Sequence, residues 1–325
     1  MIYEGSFRSR YDNLYTVQIR TKTKVNGKDE KVKLTLSSEP CIIETNSDSL
    51  FSPIKSKNAT IQIVTNDIIY DLYSSAAQQN EVLVYKNEKI IFNGYTTPCI
   101  YSQDWEYLSV IEVEAVDKLS TLQYFEYQIS SPSRGFQTLS FMTLIRECLK
   151  KAGYSSYFYF PQKSQYVTSG VCVLDSFGCQ ESNFFDDDDE ATPWTYEELL
   201  EEICKFLCVS CVPYGADVYF VDYGCVANEE QKYDKYFVKG NQGTQGVHTC
   251  SIINLSKNDY ASGTPSLSLD EVYNKISVSA SVYEYGKDAG SLSTEVFDKK
   301  TTIISNYAGM SPDFITTHPI LVTKD

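Results

Sequence analysis

Histidine and tryptophan are almost missing from this chain, with 2 of each in 325 residues and only 3 Met. Two imidazoles leave little material for acid–base catalysis or for a histidine-bound metal, both of which need the ring beside a nucleophile or a further ligand. His248 and His318 match no cysteine doublet at zinc spacing, and His318 precedes Pro319, a turn context. No Gly-x-Ser-x-Gly elbow occurs, so acyl chemistry has no local support. Positive charge is also scarce: 28 Lys and Arg stand against 43 Asp and Glu, a formal charge of −15. That balance excludes a tight grip on the DNA backbone through counterion release, yet it suits a wall past which DNA slides without sticking. No run approaches the ~18 apolar residues of a bilayer span, so no membrane insertion is expected. Met1 to Arg10 lacks the basic-then-apolar order of a secretory signal, and folding in a cytoplasm with reduced thiols is the expectation.

What is present points to a folded, β-rich, multidomain protein. Hydrophobic residues make up 42% and charged residues 22%, values of a globular chain long enough for two or three cores. The 26 tyrosines suit half-buried strands and interfaces, because the ring packs while the hydroxyl keeps a polar partner.

Three segments invite a chemical reading, and none sustains it. Cys204-x3-Cys208-x2-Cys211 has the spacing of a four-iron cluster site, and thiolates are suitable soft ligands. It lies, however, on the apolar end of an amphipathic helix and the next strand, where reduced cysteines pack as small hydrophobes. The acidic run Asp186-Asp187-Asp188-Asp189-Glu190 lacks the alternating ligands and central glycine of a calcium loop and reads as solvated. Gly240-Asn241-Gln242-Gly243-Thr244-Gln245-Gly246 lacks the lysine and following helix of a phosphate-binding loop. No catalytic, cofactor-binding or metal residue is therefore nominated, and no cofactor is expected.

Along the chain, Tyr15 to Arg20 and Val32 to Leu36 alternate with period two around Asn26-Gly27, which predicts a hairpin. Further strands are expected at Ala59 to Val64, at Glu81 to Tyr85 and Lys89 to Tyr95 joined across Lys86-Asn87-Glu88, and at Tyr107 to Val116. Asp67 to Tyr73 has helical spacing and an acidic N-cap candidate, so one short helix is expected inside this tube-like β-barrel or sandwich domain, residues 1–128. After the linker-like Ser130 to Gly135, a middle α+β domain spans 129–258. Its first helix runs Ser140 to Ala152 and stops at Gly153. Its second begins at the capping box Thr195/Glu198 and buries Leu199, Leu200, Ile203, Phe206 and Leu207. The aromatic strands Tyr157 to Phe160 and Val218 to Asp222 follow these helices and should pair, burying both helical stripes on one sheet face. The stretch 161–193, with its acidic run, should be an exposed insertion. From 259 to 325 the pattern is β again, as in Ile276 to Val282. Ile320-Leu321-Val322 begins another strand, so this second β domain is expected to be incomplete and the chain a piece of a longer protein. The fold class is thus mainly β with α+β.

Several segments resemble baseplate hub proteins, also called tail hub proteins, of long-tailed phages and prophages of the Bacteroides group. They are Pro40-Cys41-Ile42-Ile43-Glu44-Thr45, Leu50-Phe51-Ser52-Pro53-Ile54-Lys55, Ile61-Gln62-Ile63-Val64-Thr65 and Asp71-Leu72-Tyr73. Ile90-Ile91-Phe92-Asn93-Gly94-Tyr95-Thr96-Thr97-Pro98 and Val113 to Leu122 are similar to the same family, and Asp270 to Lys275 resembles the start of a later domain. The resemblance implies a homotrimer in which each subunit gives two tube-like β domains, forming a pseudo-sixfold ring that continues the tail tube. It also implies tail tube and tail tip proteins as partners, the virion tail as location, DNA passing through the lumen, and no enzymatic activity. The insertion 161–193 departs from that pattern. The rival readings are a hexameric distal tail or adaptor protein carrying receptor-binding arms, a carbohydrate-binding module using exposed aromatics, and an iron- or zinc-dependent enzyme.

Overall fold

The computed structural model describes residues 1–24, 27–45, 52–99, 103, 108–130, 135–163, 173–185, 192–227, 232–240 and 243–250. Its first half is a run of strands: β1 (Ile2–Arg8), β2 (Leu14–Arg20), β3 (Lys31–Lys33), β4 (Thr35–Thr45), β5 (Lys57–Thr65), β6 (Glu81–Lys86), β7 (Lys89–Thr96) and β8 (Ser109–Asp117). They form one eight-stranded sheet in the order β3-β1-β2-β6-β7-β8-β5-β4. The ladder is open. Its two terminal strands nevertheless follow one another in the chain with only Leu34 between them, so the sheet curls around a single core. Leu34 is buried, and its N–H donates to the Glu4 carbonyl at 2.8 Å.

Alternation decides which residues fill that core. Ala59, Ile61 and Ile63 of β5 and Ile111, Val113 and Ala115 of β8 point inward beside Val17, Ile19, Val82, Val84 and Phe92. Each fully buried aliphatic or aromatic side chain of this kind contributes roughly 1.5–3 kcal/mol. The β6–β7 hairpin turns on Asn87 and Glu88, both at positive φ (47° and 68°), the backbone that a two-residue turn between twisted strands requires.

Two expectations for this half fail. Tyr15 to Arg20 and Val32 to Leu36 are strands but not hairpin partners: β2 pairs antiparallel with β1 and β6, whereas β3 pairs parallel with β1. Local alternation specifies a strand and its faces, not its neighbour. The helix expected at Asp67 to Tyr73 is a single 3-10 turn, Tyr70–Leu72, with Ile69 rather than Asp67 at its N-cap. Asp71 is turned instead to the Tyr3 hydroxyl (2.6 Å) and the Thr21 hydroxyl (3.1 Å).

The second half contains β9 (Thr138–Ser140), α1 (Phe141–Lys151), β10 (Tyr157–Pro161), α2 (Val173–Ser176), β11 (Gly178–Gln180), α3 (Tyr196–Leu207), β12 (Ser210–Tyr214), β13 (Asp217–Val221), α4 (Tyr223–Ala227), β14 (Lys232–Phe237) and β15 (Val247–Thr249). Ser140 caps α1 by accepting from the Thr143 N–H, and Gly153 follows it at φ +89°. Thr195 and Glu198 form the reciprocal capping box of α3. A five-stranded sheet, β12-β13-β10-β14-β15, pairs β10 with β13 as expected of the two aromatic strands, and the pair is parallel. Phe158, Phe160, Val218 and Phe220 turn one face of it toward α1 and α3, where Leu144, Ile145, Leu149, Leu199, Leu200 and Ile203 complete the core. Phe206 departs from the expected stripe: it is 51% exposed, with its ring edge-on to Phe141 and Phe177.

The insertion is not wholly an exposed excursion. Between β10 and α3, β11 pairs with β9, and Leu174, Glu181 and Phe184 are buried. Apolar residues on both sides of the acidic run anchor the segment, while Asp186 to Glu190 lie outside the described residues. Ile276 to Val282, Ile320 to Val322, Asp270 to Lys275 and His318 lie outside them too. The described residues all fall in one compact unit, Met1–Asn254, within which the two sheets form two lobes.

Candidate assembly interface

At the end of the eight-stranded ladder, β4 pairs among the described residues with β5 alone, through a register shift between Leu36 and Cys41. Pro40 sits in that shift, where its missing N–H breaks no ladder bond. Near its start, β4 crosses close over β1. A Cβ on Gly5 would stand 2.9 Å from Leu36 Cγ and 3.2 Å from the Leu34 carbonyl oxygen, so glycine allows the approach. Beyond the shift, Ile42 is 42% exposed, and burial pushes the Cys41 thiol up to about 11. The outward face of β8 offers exposed Val110 next to Val64 of β5, followed along the strand by Glu112 and Glu114. Tyr11, Tyr70, Tyr124, Tyr214 and Tyr223 are all exposed. Tyrosine at the surface supplies stiff, amphipathic contact area at little entropic cost.

Four of the seven segments that resemble tail hub proteins lie side by side in the structure, whereas Asp71–Tyr73 falls at the 3-10 turn, Leu50–Lys55 lies outside the strands, and Asp270–Lys275 lies outside the described residues. Ile90 to Thr96 lie on β7, Val113 to Asp117 on β8, Ile61 to Thr65 on β5 and Pro40 to Thr45 on β4, four consecutive positions of one ladder. Gly94 is the tightest point of that half-sheet, because a Cβ there would lie 2.0 Å from the Val116 carbonyl oxygen.

The junction between the lobes is polar and hydrogen-bonded from both sides. Lys118 donates to Glu81 (3.1 Å) and to the Gly153 carbonyl (3.3 Å), with its ammonium near the rings of Tyr95 and Tyr154. Gln78 donates to the Thr121 hydroxyl and the Lys151 carbonyl, both at 2.8 Å. The Cys211 N–H donates to the Pro53 carbonyl (2.7 Å), and the Lys55 N–H returns to the Cys211 carbonyl (2.9 Å). Buried Asp117 accepts from the Lys57 N–H (2.5 Å) and from the Ser120 N–H (2.9 Å) and hydroxyl (3.2 Å). Within the second lobe, fully buried Glu181 accepts from the Tyr127 hydroxyl and the Ser130 and Gln137 N–H groups, each at 2.7 Å. Burial opposes its charge, but these bonds prevail and hold the carboxyl below its usual range. No sequence signal marked Glu181, a lone acid within a polar insertion.

The cysteine motif divides in space. Cys204 and Cys211 are fully buried, with Cys148 alongside in the same core, and burial pushes the thiols of Cys148 and Cys211 well up. Cys208, expected to pack in an apolar run, is exposed instead, because it ends α3 in the left-handed conformation at φ 53°. Among the described residues no group of three or more His, Cys, Asp or Glu is placed to hold a metal ion. His248 lies on β15 with its ring 5.3 Å from that of Tyr159. Tyr159 and Tyr219 stack face to face at 4.3 Å. No helix among the described residues is long and apolar enough to cross a membrane.

No family model and no curated protein matches the chain. Among solved structures it is similar to a tail protein of Neisseria meningitidis at 10% identity and TM-score 0.37, covering 63% of this chain and 50% of that one. A prophage tail protein of Shewanella oneidensis matches at 15% identity and TM-score 0.36, covering 63% and 54%. A prophage tail protein of Listeria monocytogenes matches at 13% identity and TM-score 0.32, covering 55% and 43%. The chain spans about half the length of these tail proteins.

Proposed function

We propose that this chain is a structural, non-catalytic subunit of a phage tail and, within the tail, a baseplate hub subunit that joins the tail tube to the tail tip as a homotrimer. The observation that supports the reading is that four of the hub-like segments lie on the consecutive strands β7-β8-β5-β4, which end, among the described residues, at an open sheet edge. A terminal strand with exposed Ile42, and exposed tyrosines elsewhere, suit a ring closed by heterologous contacts between copies. The charge of −15 suits a conduit from which DNA is repelled rather than held.

Mass photometry of the full-length protein tests the reading. Particles of three subunits are the expected result. A strict monomer at micromolar concentration overturns it, and a hexamer moves the assignment to a distal tail or adaptor protein.

A further inference from the structure

The eight-stranded sheet carries an unpaired edge inside the ladder as well as at its ends. β8 pairs with β5 from Ser109 to Val116, but among the described residues β7 meets it only at Ala115, Val116 and Asp117. The Thr97 N–H adds one bond to the Glu114 carbonyl (2.9 Å), and the chain then leaves, with the Cys99 N–H donating to the Ser74 carbonyl at 3.0 Å. A cleft of about 410 Å3 opens beyond that point, lined by Tyr73, Thr97 and Cys99 and by Val110 to Glu114. Peptide groups alternate sides along a strand. Since the Glu114 carbonyl faces β7, the peptide groups of Glu112 and Val110 face the cleft, and among the described residues they bond to no other strand. Val110 is 58% exposed, and the exposed carboxylates of Glu112 and Glu114 have no cation partner among the described residues. Glu112 accepts from the Gln62 amide at 2.9 Å.

We infer that this edge receives β3 of a second copy of the chain as an added strand, with Lys31 and Lys33 answering Glu112 and Glu114. The inference rests on the tail-hub reading and names a contact through which its ring closes. Among the described strands that end a sheet, β3 alone carries lysine or arginine on an edge free of acids: β9, β11, β12 and β15 have neither cation. β4 brings exposed Glu39 and Glu44, which meet like charge at this site. Both lysines of β3 are exposed, and Lys31 is held by an exposed pair with Glu4 at 3.6 Å, a weak claim on its charge.

The backbone parity agrees. The Ile2 N–H donates to the Glu30 carbonyl and the Leu34 N–H to the Glu4 carbonyl, both at 2.8 Å, so the peptide groups of Lys31 and Lys33 point away from β1 to the free side. Strand residues that exchange hydrogen bonds across a pair put their side chains on the same face. With the Glu114 carbonyl already taken, an antiparallel β3 pairs at Glu112 and Val110. Lys31 then stands opposite Glu112 and diagonal to Glu114, while the Lys33 stem covers Val110. The two edges belong to different strands, so the contact is heterologous and builds a ring rather than a two-fold dimer.

Mass photometry of full-length charge-reversal variants tests this. Glu112→Lys with Glu114→Lys, and separately Lys31→Glu with Lys33→Glu, are each expected to weaken assembly at least about tenfold, because like charges then oppose. The quadruple variant restores the attraction and is expected to recover the particles, which also shows that these exposed substitutions leave the fold intact. In the wild type, carbodiimide coupling of a mixture of isotope-labelled and unlabelled chains should give mixed-isotope links between Lys31 and Glu112. Wild-type assemblies that persist unchanged in the β8 variant overturn the inference and leave the hub reading standing. A wild type that stays monomeric overturns both. Loss in the β8 variant without recovery in the quadruple variant, or wild-type assemblies without mixed-isotope links, overturns β3 as the added strand.

Discussion

The ammonium of Lys118 stands 3.1 Å from the Glu81 carboxylate in its own lobe and donates to the Gly153 carbonyl of the α+β lobe at 3.3 Å, with its side chain only 9% exposed, so this lysine bolts the two lobes together. Glu81 also meets Arg20 at 3.3 Å, but Arg20 is 42% exposed. The two contacts share one carboxylate and differ in solvent screening. Lys118→Ala, which strips both the charge and the stem packed between Tyr95 and Tyr154, is expected to cost about 2–4 kcal/mol. Arg20→Ala should cost less than about 1 kcal/mol. Urea unfolding followed by tyrosine fluorescence separates them, and equal midpoints for the two variants would refute the bolt.

Gly94→Ala is expected to prevent stable folding. The added methyl would overlap the Val116 carbonyl oxygen at 2.0 Å, an atom fixed in the β7–β8 ladder with no flexible side chain to yield. A loss above about 4 kcal/mol is expected for forced displacement of backbone in a packed sheet. Expression with Gly243→Ala as control tests this, since a Cβ there meets nothing within 4 Å. A soluble Gly94→Ala protein with the melting temperature of that control would contradict the argument.

Much of this architecture was legible because its determinants are local. Asn87-Glu88 between alternating runs specified the β6–β7 hairpin, and Thr195 with Glu198 fixed the start of α3. The pairing of β10 with β13, though not its parallel direction, followed from two helix-then-aromatic-strand units. What escaped depended on distant partners. β1 went unread because Gly5 interrupts its alternation of Tyr3 and Phe7, and without β1 the natural partner for β2 was the wrong strand. Glu181 escaped for a similar reason: its three donors come from Tyr127, Ser130 and Gln137, some 44 to 54 residues earlier. Cys208 was misjudged because apolar neighbours do not reveal a left-handed helix end.

Glu181 should make the second lobe acid-sensitive. Its carboxyl is held below 4.5 in the fold, so its contribution is complete above that value and is lost as pH falls through the lower folded value. Glu181→Gln presents an amide where N–H groups donate, leaving buried donors unpaired at a cost of about 1.5–3 kcal/mol. Limited proteolysis at pH 7 is expected to cut the 125–140 region of Glu181→Gln well before the wild type. The wild type should acquire the same cut only in acid. Identical cleavage of both proteins at pH 7 would show that this carboxylate organises nothing.

Thiol labelling discriminates the packing role of the cysteines from cluster binding. In the folded protein Cys99 and Cys208 are exposed, whereas Cys148, Cys204 and Cys211 are buried, with the thiols of Cys148 and Cys211 pushed well above their ordinary value by burial. Only the thiolate attacks an alkylating reagent, so exposure and ionisation act in the same direction. Iodoacetamide followed by peptide mass spectrometry should modify Cys99 and Cys208 within minutes. Cys148, Cys204 and Cys211 should react only in denaturant. A cluster or zinc ion held by the motif would reverse the pattern at one position, because Cys208 would then be a ligand and protected together with Cys204 and Cys211. Protection of Cys208 that disappears on adding a chelator would therefore argue for a metal-binding protein and against a purely structural subunit.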